Sequence, residues 1–96
     1  MARITSYQAQ LELAEYLRKY LHGLQLRLGN VVTQYRDQAQ KLYDAGMMDE
    51  VHKDFVTNYM AETTEKINSV IDLINERDIP FVNNYIQDLE EQLAKH

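Results

Sequence analysis

The chain has no cysteine, no tryptophan, a single proline and only three glycines among its 96 residues. Without cysteine, neither a disulfide framework nor a thiolate metal site can form. Sheet-rich and loop-rich folds need proline or glycine at their frequent turns, so this scarcity argues against them. Ala, Leu, Glu, Gln, Lys and Arg, which lose little side-chain entropy in a helix, are abundant instead. We therefore expect an all-α fold.

Long apolar runs and an excess of positive charge are also missing. The first six residues lack the apolar core of a signal peptide, and no run approaches the roughly 18 apolar residues of a membrane-spanning helix. We expect a cytoplasmic protein, or one secreted without a signal peptide. The net charge of −5 argues against nucleic acid, because a nucleic-acid binder needs a basic face to displace counterions.

The sequence contains few residues at the spacing that catalysis or metal binding requires. The histidines His22, His52 and His96 have no ligand-like spacing, and no Glu-x-x-His pair of the di-iron bundle type occurs. Neither a glycine-rich phosphate loop nor a nucleophile elbow is present. The sequence predicts no catalytic residue, no cofactor and no metal, and hence a protein that is not an enzyme.

Apolar residues in the first half recur at helical spacing. One series repeats every seven residues: Tyr7, Ala14, Leu21, Leu28, Tyr35 and Leu42. A second series lies three or four residues away: Leu11, Leu17, Leu24, Val31 or Val32, and Ala39. This stripe predicts a helix over about 6–45, begun by a capping box of Thr5 and Gln8. A kink at Gly29 is the alternative, since an interior glycine costs a helix about 1 kcal/mol.

Gly46 lies almost at the midpoint of the chain, where a left-handed glycine can end a helix. The predicted turn near 46–48 also holds Met47 and Met48. A second helix over about 49–78 carries an apolar stripe that weakens between Tyr59 and Ile67. Its members are Met48, Val51, Phe55, Tyr59, Ile67, Val70 or Ile71, and Ile74.

Pro80 predicts a break in this second helix, because proline lacks a backbone donor and disfavours helical geometry in the residue before it. A C-terminal helix over about 80–95 would then carry Phe81, Tyr85 or Ile86, Leu89 and Leu93. A kinked but continuous helix is the alternative.

These elements predict one domain over 1–96, a long antiparallel helical hairpin. Two helices alone cannot cover stripes of this length, so we expect a four-helix bundle with another protein chain, as a homodimer or a heterodimer. The predicted packing and partner interface comprises Tyr7, Leu21, Leu24, Leu28, Tyr35, Leu42, Phe55, Tyr59, Ile67 and Ile74. The flanking residues Tyr16, Tyr20 and Tyr43 also favour an intermolecular surface, since tyrosine is enriched at interfaces. A Leu28→Asp substitution on this seam is predicted to abolish assembly.

The segment from Gly46 to Phe55 resembles the mid-chain region of the WXG100 (ESAT-6-like) proteins of type VII secretion. In that family a Trp-x-Gly turn precedes a phenylalanine by about two helical turns. Here Phe55 matches the phenylalanine, and Met47 or Met48 takes the apolar turn position. The tryptophan is absent, and the family's C-terminal Tyr-x-x-x-Asp/Glu signal is not met, because Leu89 follows Tyr85 at the acidic position.

In size and plan the chain is also similar to small helical partners that bind the helical targeting domain of LXG toxins in Gram-positive bacteria. The resemblance implies an adaptor that pairs helix to helix, with itself or with a secreted toxin, and helps to present that substrate for export. The alternative function is a non-secreted helical oligomerisation module, phage-encoded, chaperone-like or regulatory, which would use the same surface.

Overall fold

The computed structural model describes residues 2–95, with side chains from Ser6 onward. Helix α1 spans Ala2–Asp44. After a short turn, five consecutive helical segments follow: α2 (Asp49–Asp54), a first π-helical segment (Phe55–Met60), α3 (Ala61–Leu73), a second π-helical segment (Ile74–Asp78) and α4 (Ile79–Ala94). No strand occurs in this part of the chain, which confirms the predicted all-α class. None of the described helices has the length and apolar character needed to cross a membrane.

Helix α1 begins earlier than the capping-box pattern indicates. It already includes Ala2, so Ser6 lies inside the helix rather than at its start. The predicted cap at Thr5 falls among residues whose side chains are not described. The helix also continues through Gly29, where an added Cβ would meet no atom within 4 Å. That glycine therefore serves no close packing contact in this structure.

The end of α1 is a Schellman motif centred on Gly46. The amide of Met47 donates to the carbonyl of Leu42 at 3.2 Å, and the amide of Gly46 donates to the carbonyl of Tyr43 at 3.0 Å. These are the two hydrogen bonds that define the motif, and they satisfy carbonyls left free at a helix end. Gly46 has a φ of +119°, a conformation that a side chain makes costly. Met48 then adopts extended geometry, and α2 follows.

The second π-helical segment keeps two buried residues on one face of the helix. Ile74 and Ile79 are both buried although they are five residues apart, a spacing that turns an α-helix by 500° and so places them well apart on its surface. Across the second π-helical segment the amide of Ile79 donates to the carbonyl of Ile74, so the two residues stack on one face. Across the first π-helical segment the amide of Ala61 donates to the carbonyl of Val56, and none of the residues of this segment is buried.

Pro80 does not break the backbone. Asp78 and Ile79 have helical dihedral angles, so the alternative of a continuous helix describes this region, with the π-helical segment immediately before the proline. Pro80 lies in the first turn of α4, directly after this π-helical segment. The wider π turn lies where the regular i→i−4 ladder would otherwise meet the proline ring.

Contacts within the chain divide it into two compact units, which are described separately. In the first unit, the chain up to Gln25 packs against the chain from Leu73 onward. Its core consists of Ala14, Val82, Ile86 and Leu89, with Tyr7, Leu11 and Leu21 packed against it. The helices of this unit are antiparallel, because Gln10 contacts Tyr85 whereas the later Arg18 contacts the earlier Asn83.

The second unit, Leu26–Asp72, is a helical hairpin closed by the turn at Gly46. Val32 and Ala39 are its buried residues on α1, and Thr64 is buried on α3. Tyr35 packs edge-on against Phe55 with ring centroids 6.1 Å apart, which joins α1 to the first π-helical segment. The Oγ1 atom of Thr64 is buried without a hydrogen-bond partner.

The strict seven-residue series on α1 drifts away from the buried face. A helix with 3.6 residues per turn rotates a heptad repeat by about 20° each time, or roughly 100° over the five repeats from Tyr7 to Leu42. Ala14 is accordingly buried, Leu28 and Tyr35 are half-buried, and Leu42 is 57% exposed. Where the sequence left two options open, Val32, Ile71 and Ile86 are the more buried ones.

Candidate protein-docking groove

A groove runs between the two antiparallel helices of the first unit, and its floor is made of small or medium side chains. Ala14 from α1 and Val82 from α4 are each only 5% exposed. Both belong to the core of the unit and also line the groove. Because neither side chain is large, the space between the walls stays open above them.

The walls of the groove are large apolar side chains that remain in solvent. On α1 they are Leu13 and Leu17, exposed by 69% and 47%, and on α4 they are Phe81 and Tyr85, exposed by 72% and 42%. Together with the floor and Gln10 they enclose a volume of about 350 Å³. We call the site lined by these seven residues, which include Gln10 and Tyr85, the apolar groove.

Adjacent pairs of apolar residues explain why the groove exists. Leu13–Ala14, Phe81–Val82 and Tyr85–Ile86 each place two apolar side chains about 100° apart on a helix. The second member of each pair is buried between the helices, whereas the first is turned to the flank. Each helix therefore has an apolar face that is wider than its partner helix in the unit covers.

Hydrogen bonds between side chains hold the two walls in register. The hydroxyl of Tyr85 donates to Oε1 of Gln10 at 3.0 Å, which links α4 to α1 at one end of the groove. Nη1 of Arg18 donates to Oδ1 of Asn83 at 3.3 Å, a second link between the same two helices. The walls are thus positioned by contacts that leave their apolar surfaces open.

The groove continues toward the second π-helical segment. Here Leu21 joins Leu17, Phe81 and Val82 around a further volume of about 400 Å³. Arg77 and Asp78 close this end, and Nε of Arg77 donates to Oδ1 of Asp78 at 3.0 Å. These two charges offset one another, so the lining of the whole groove has no net charge.

The residues predicted as an interface are spread over both units. Ile74 is buried and Leu42 and Tyr59 are exposed. The others are half-buried: Tyr7, Leu21, Leu24, Leu28, Tyr35, Phe55 and Ile67. Of the whole set only Leu21 lines the apolar groove, and Tyr7 packs against the core beneath it. Phe81, placed on the last stripe, forms a wall of the groove rather than part of the core.

Sequence analysis missed Leu13 as a site residue. A pattern was nevertheless present, because Leu13, Leu17, Tyr20 and Leu24 follow a 4-3-4 spacing that defines a second apolar line on α1. Tyr20 is exposed in the structure, and so is Tyr16. Leu13 belongs to neither of the two series that define the apolar stripe of α1.

The turn of the second unit holds a polar cluster around Tyr43. Its hydroxyl donates to Oδ1 of Asp49 at 2.7 Å, and its ring lies 4.2 Å from that of His52. The hydrogen bond to Asp49 raises the pKa of Tyr43, and the negative charges of Asp49 and Asp44 add to the effect. The hydrogen bond and the ring contact tie the end of α1 to the start of α2. Met47 beside them is half-buried, whereas Met48 is exposed.

The described side chains form no group of three or more His, Asp or Glu that could hold a metal ion. The apolar groove is lined mainly by apolar side chains, and what it offers a partner is burial and side-chain packing. Comparison with known proteins adds no identification: no family model, no curated protein and no solved structure matches the chain.

Proposed function

We propose that this protein is a helical adaptor that binds an amphipathic helix of another protein chain in the apolar groove. A third and a fourth helix laid along α1 and α4 would complete a bundle of the usual four-helix kind. Apolar residues of the incoming helix, spaced three and four positions apart, would occupy the space between Leu13 and Phe81.

The observation that carries this proposal is the exposure of four large apolar side chains around one continuous groove. Burying a side chain of the size of Leu or Phe contributes roughly 1.5–3 kcal/mol of favourable free energy. A partner that covered the exposed side chains of Leu13, Leu17, Phe81 and Tyr85 would therefore gain a large free energy of binding. Contiguous apolar patches rather than scattered single residues mark interaction sites.

The small core supports the proposal independently. The core cluster of the first unit contains only four buried residues, one of which is the small Ala14. In the described part of the chain no large side chain is completely buried. A domain of this size has little stability to spare, and a helix that covers the groove would add apolar burial to it.

The more specific proposal is a role in type VII secretion, as a WXG100-like adaptor or a partner of the helical targeting domain of an LXG toxin. Its support is the resemblance of the segment from Gly46 to Phe55, together with a Gly46 turn between two helical runs. In this role the adaptor would cover apolar helices of the toxin before export.

The experiment that tests the proposal is co-expression of the chain with a helical targeting domain encoded in the same genome. Complex formation is measured by size-exclusion chromatography with light scattering. A Leu13→Asp substitution places a charge in the groove, whereas Leu26→Asp is a matched control on the same helix. Leu26 is exposed by 72%, similar to the 69% of Leu13, but it does not line the groove.

We expect Leu13→Asp to remove the complex and Leu26→Asp to retain it, with both variants as helical as the wild type by circular dichroism. If both variants bind the targeting domain like the wild type, the groove is not the docking site. If no targeting domain binds but the chain assembles with a non-secreted helical protein in a groove-dependent way, the alternative oligomerisation module replaces the secretion role.

A further inference from the structure

We propose that the second unit binds a small zwitterion with an apolar side chain, an α-amino acid or a dipeptide, in a cleft between α1 and the second helical run. The cleft has a volume of about 590 Å³, within the range of roughly 300–1,000 Å³ that small-molecule sites have. Arg36 lines it from α1, and the other lining residues come from the first π-helical segment and α3. None of these residues lines the apolar groove, so the cleft is a separate site.

Thr64 provides the observation that points to a ligand. It lines the cleft, it is only 6% exposed, and its Oγ1 atom has no hydrogen-bond partner. A buried hydroxyl without a partner costs stability, so its presence in a native structure calls for an explanation. A helix admits two χ1 rotamers for threonine, and rotation between them turns the hydroxyl to a new direction. A polar ligand that accepts a hydrogen bond from this hydroxyl removes the cost.

The charged side chains of the cleft define the charge of the ligand. Among the described side chains, no ion pair involves Arg36, Glu65 or Asp72, all of which line the cleft. The two acidic residues are seven positions apart on α3, which places them on one face of that helix, about 10 Å apart along its axis. A simple anion would be repelled by the carboxylates and a simple cation by the guanidinium. A zwitterion offers a carboxylate to Arg36 and an ammonium group to Glu65 or Asp72.

The first π-helical segment supplies the apolar wall of the cleft. Val56 and Ala61 both line it although they are five residues apart, a spacing that turns an α-helix by 500° and so separates them on its surface. Across the π turn the amide of Ala61 donates to the carbonyl of Val56, which brings the two residues to one face together with Met60. The segment contains no buried residue, and π turns are frequent at functional sites. Its apolar surface therefore fits the apolar side chain of the ligand.

The test measures the binding of L-leucine and of L-leucyl-L-leucine to the purified full chain by isothermal titration calorimetry. We expect at least one of them to bind with a Kd below about 1 mM, and the tighter one shows whether the site takes a free amino acid or a dipeptide. N-acetyl-L-leucine, L-leucinamide and glycine lack the ammonium group, the carboxylate and the side chain, respectively. Each should bind about tenfold more weakly than L-leucine or not at all.

Two variants locate the ligand in the cleft. Thr64→Val keeps the shape of the side chain but removes the hydroxyl, and Thr63→Val is the matched control, because Thr63 is exposed and does not line the cleft. We expect Thr64→Val to weaken binding about tenfold without loss of thermal stability, and Thr63→Val to bind like the wild type. Arg36→Gln should weaken the binding of the zwitterion but leave the residual affinity for L-leucinamide unchanged, because that ligand has no carboxylate for the guanidinium to hold.

Two results would overturn the proposal. If neither L-leucine nor L-leucyl-L-leucine binds with a Kd below about 1 mM, the cleft does not take this class of ligand. If one of them binds, but Thr64→Val and Arg36→Gln both retain wild-type affinity, the ligand lies elsewhere on the chain. Neither result depends on the apolar groove, which Leu13→Asp tests separately.

Discussion

Leu13 and Ala14 are neighbours in the sequence, but they form two different parts of one site. Ala14 is 5% exposed and belongs to the core of the first unit, whereas Leu13 is 69% exposed and forms a wall of the groove above it. This one-residue step, repeated at Phe81–Val82 and Tyr85–Ile86, separates the residues that hold the unit together from those that are free to bind.

Substitutions on the two sides of this step are predicted to act on different properties. Ile86→Ala removes a side chain that is only 3% exposed and should lower the free energy of unfolding by about 2–4 kcal/mol. Phe81→Ala should change the stability of the isolated chain by only about 0.5 kcal/mol, because Phe81 is already in solvent. Urea denaturation at low protein concentration measures both. Equal losses would show that Phe81 is part of the core.

Substitution by alanine is predicted to have opposite effects on stability at Gly29 and at Gly46. Gly29 lies inside α1 with open space around it, so Gly29→Ala should stabilise the protein by about 0.5–1 kcal/mol. Gly46 has a φ of +119°, so Gly46→Ala should destabilise it by about 1 kcal/mol or more. Thermal unfolding followed by circular dichroism compares the two. A Gly46→Ala variant as stable as the wild type would contradict the Schellman motif described for this turn.

Burial of Thr64 predicts a stabilising substitution. Its hydroxyl is buried with no hydrogen-bond partner, so Thr64→Val removes a desolvated polar group and keeps the shape of the side chain. We expect the free energy of unfolding to rise by about 1 kcal/mol. The neighbouring Thr63 is exposed, and Thr63→Val should have almost no effect. A loss of stability in Thr64→Val would mean that the hydroxyl is bonded in solution.

The raised pKa of Tyr43 predicts a pH dependence of stability. The folded protein holds the phenolic proton more tightly than the unfolded chain does, because the hydroxyl donates to Asp49. The contribution is therefore complete below the ordinary tyrosine pKa of about 10 and is lost as the pH rises through the raised pKa. Tyr43→Phe should unfold at a lower temperature than the wild type at neutral pH, and this difference should shrink above pH ~10. A difference that stays constant with pH would contradict the hydrogen bond.

How far the fold follows from the sequence can be seen at particular residues. The helical class and the end of α1 near Gly46 follow from local rules of composition and capping, which need no knowledge of distant contacts. The exposure of Leu42 does not follow from such local rules. A seven-residue repeat rotates slowly around the helix, and this rotation becomes visible only when the repeat is followed over several turns. The five-residue step from Ile74 to Ile79 contained the information needed to predict a π turn, but such turns are rare.

The groove was harder to foresee because it depends on which of two adjacent apolar residues turns inward. Tyr85 and Ile86 are equally compatible with an apolar stripe on α4, and only the packing against α1 decides that Ile86 is buried. The same applies to Leu13, whose neighbour Ala14 takes the core position because a small side chain fits between the helices. Local pattern identifies the apolar face, whereas tertiary packing decides which part of it remains exposed.

The most direct test of the docking groove uses the absence of native cysteine. Leu13→Cys and Leu26→Cys each introduce a single thiol at a similarly exposed position of α1. Both variants are expressed in the native host and treated with a membrane-permeant maleimide, and the rates of labelling are compared with those of the dilute purified chains. We predict that the thiol at position 13 is protected in the cell while that at position 26 reacts freely, and that both react alike in the dilute chains. Equal labelling of the two positions in the cell would show that no chain covers the groove and would contradict the proposed function.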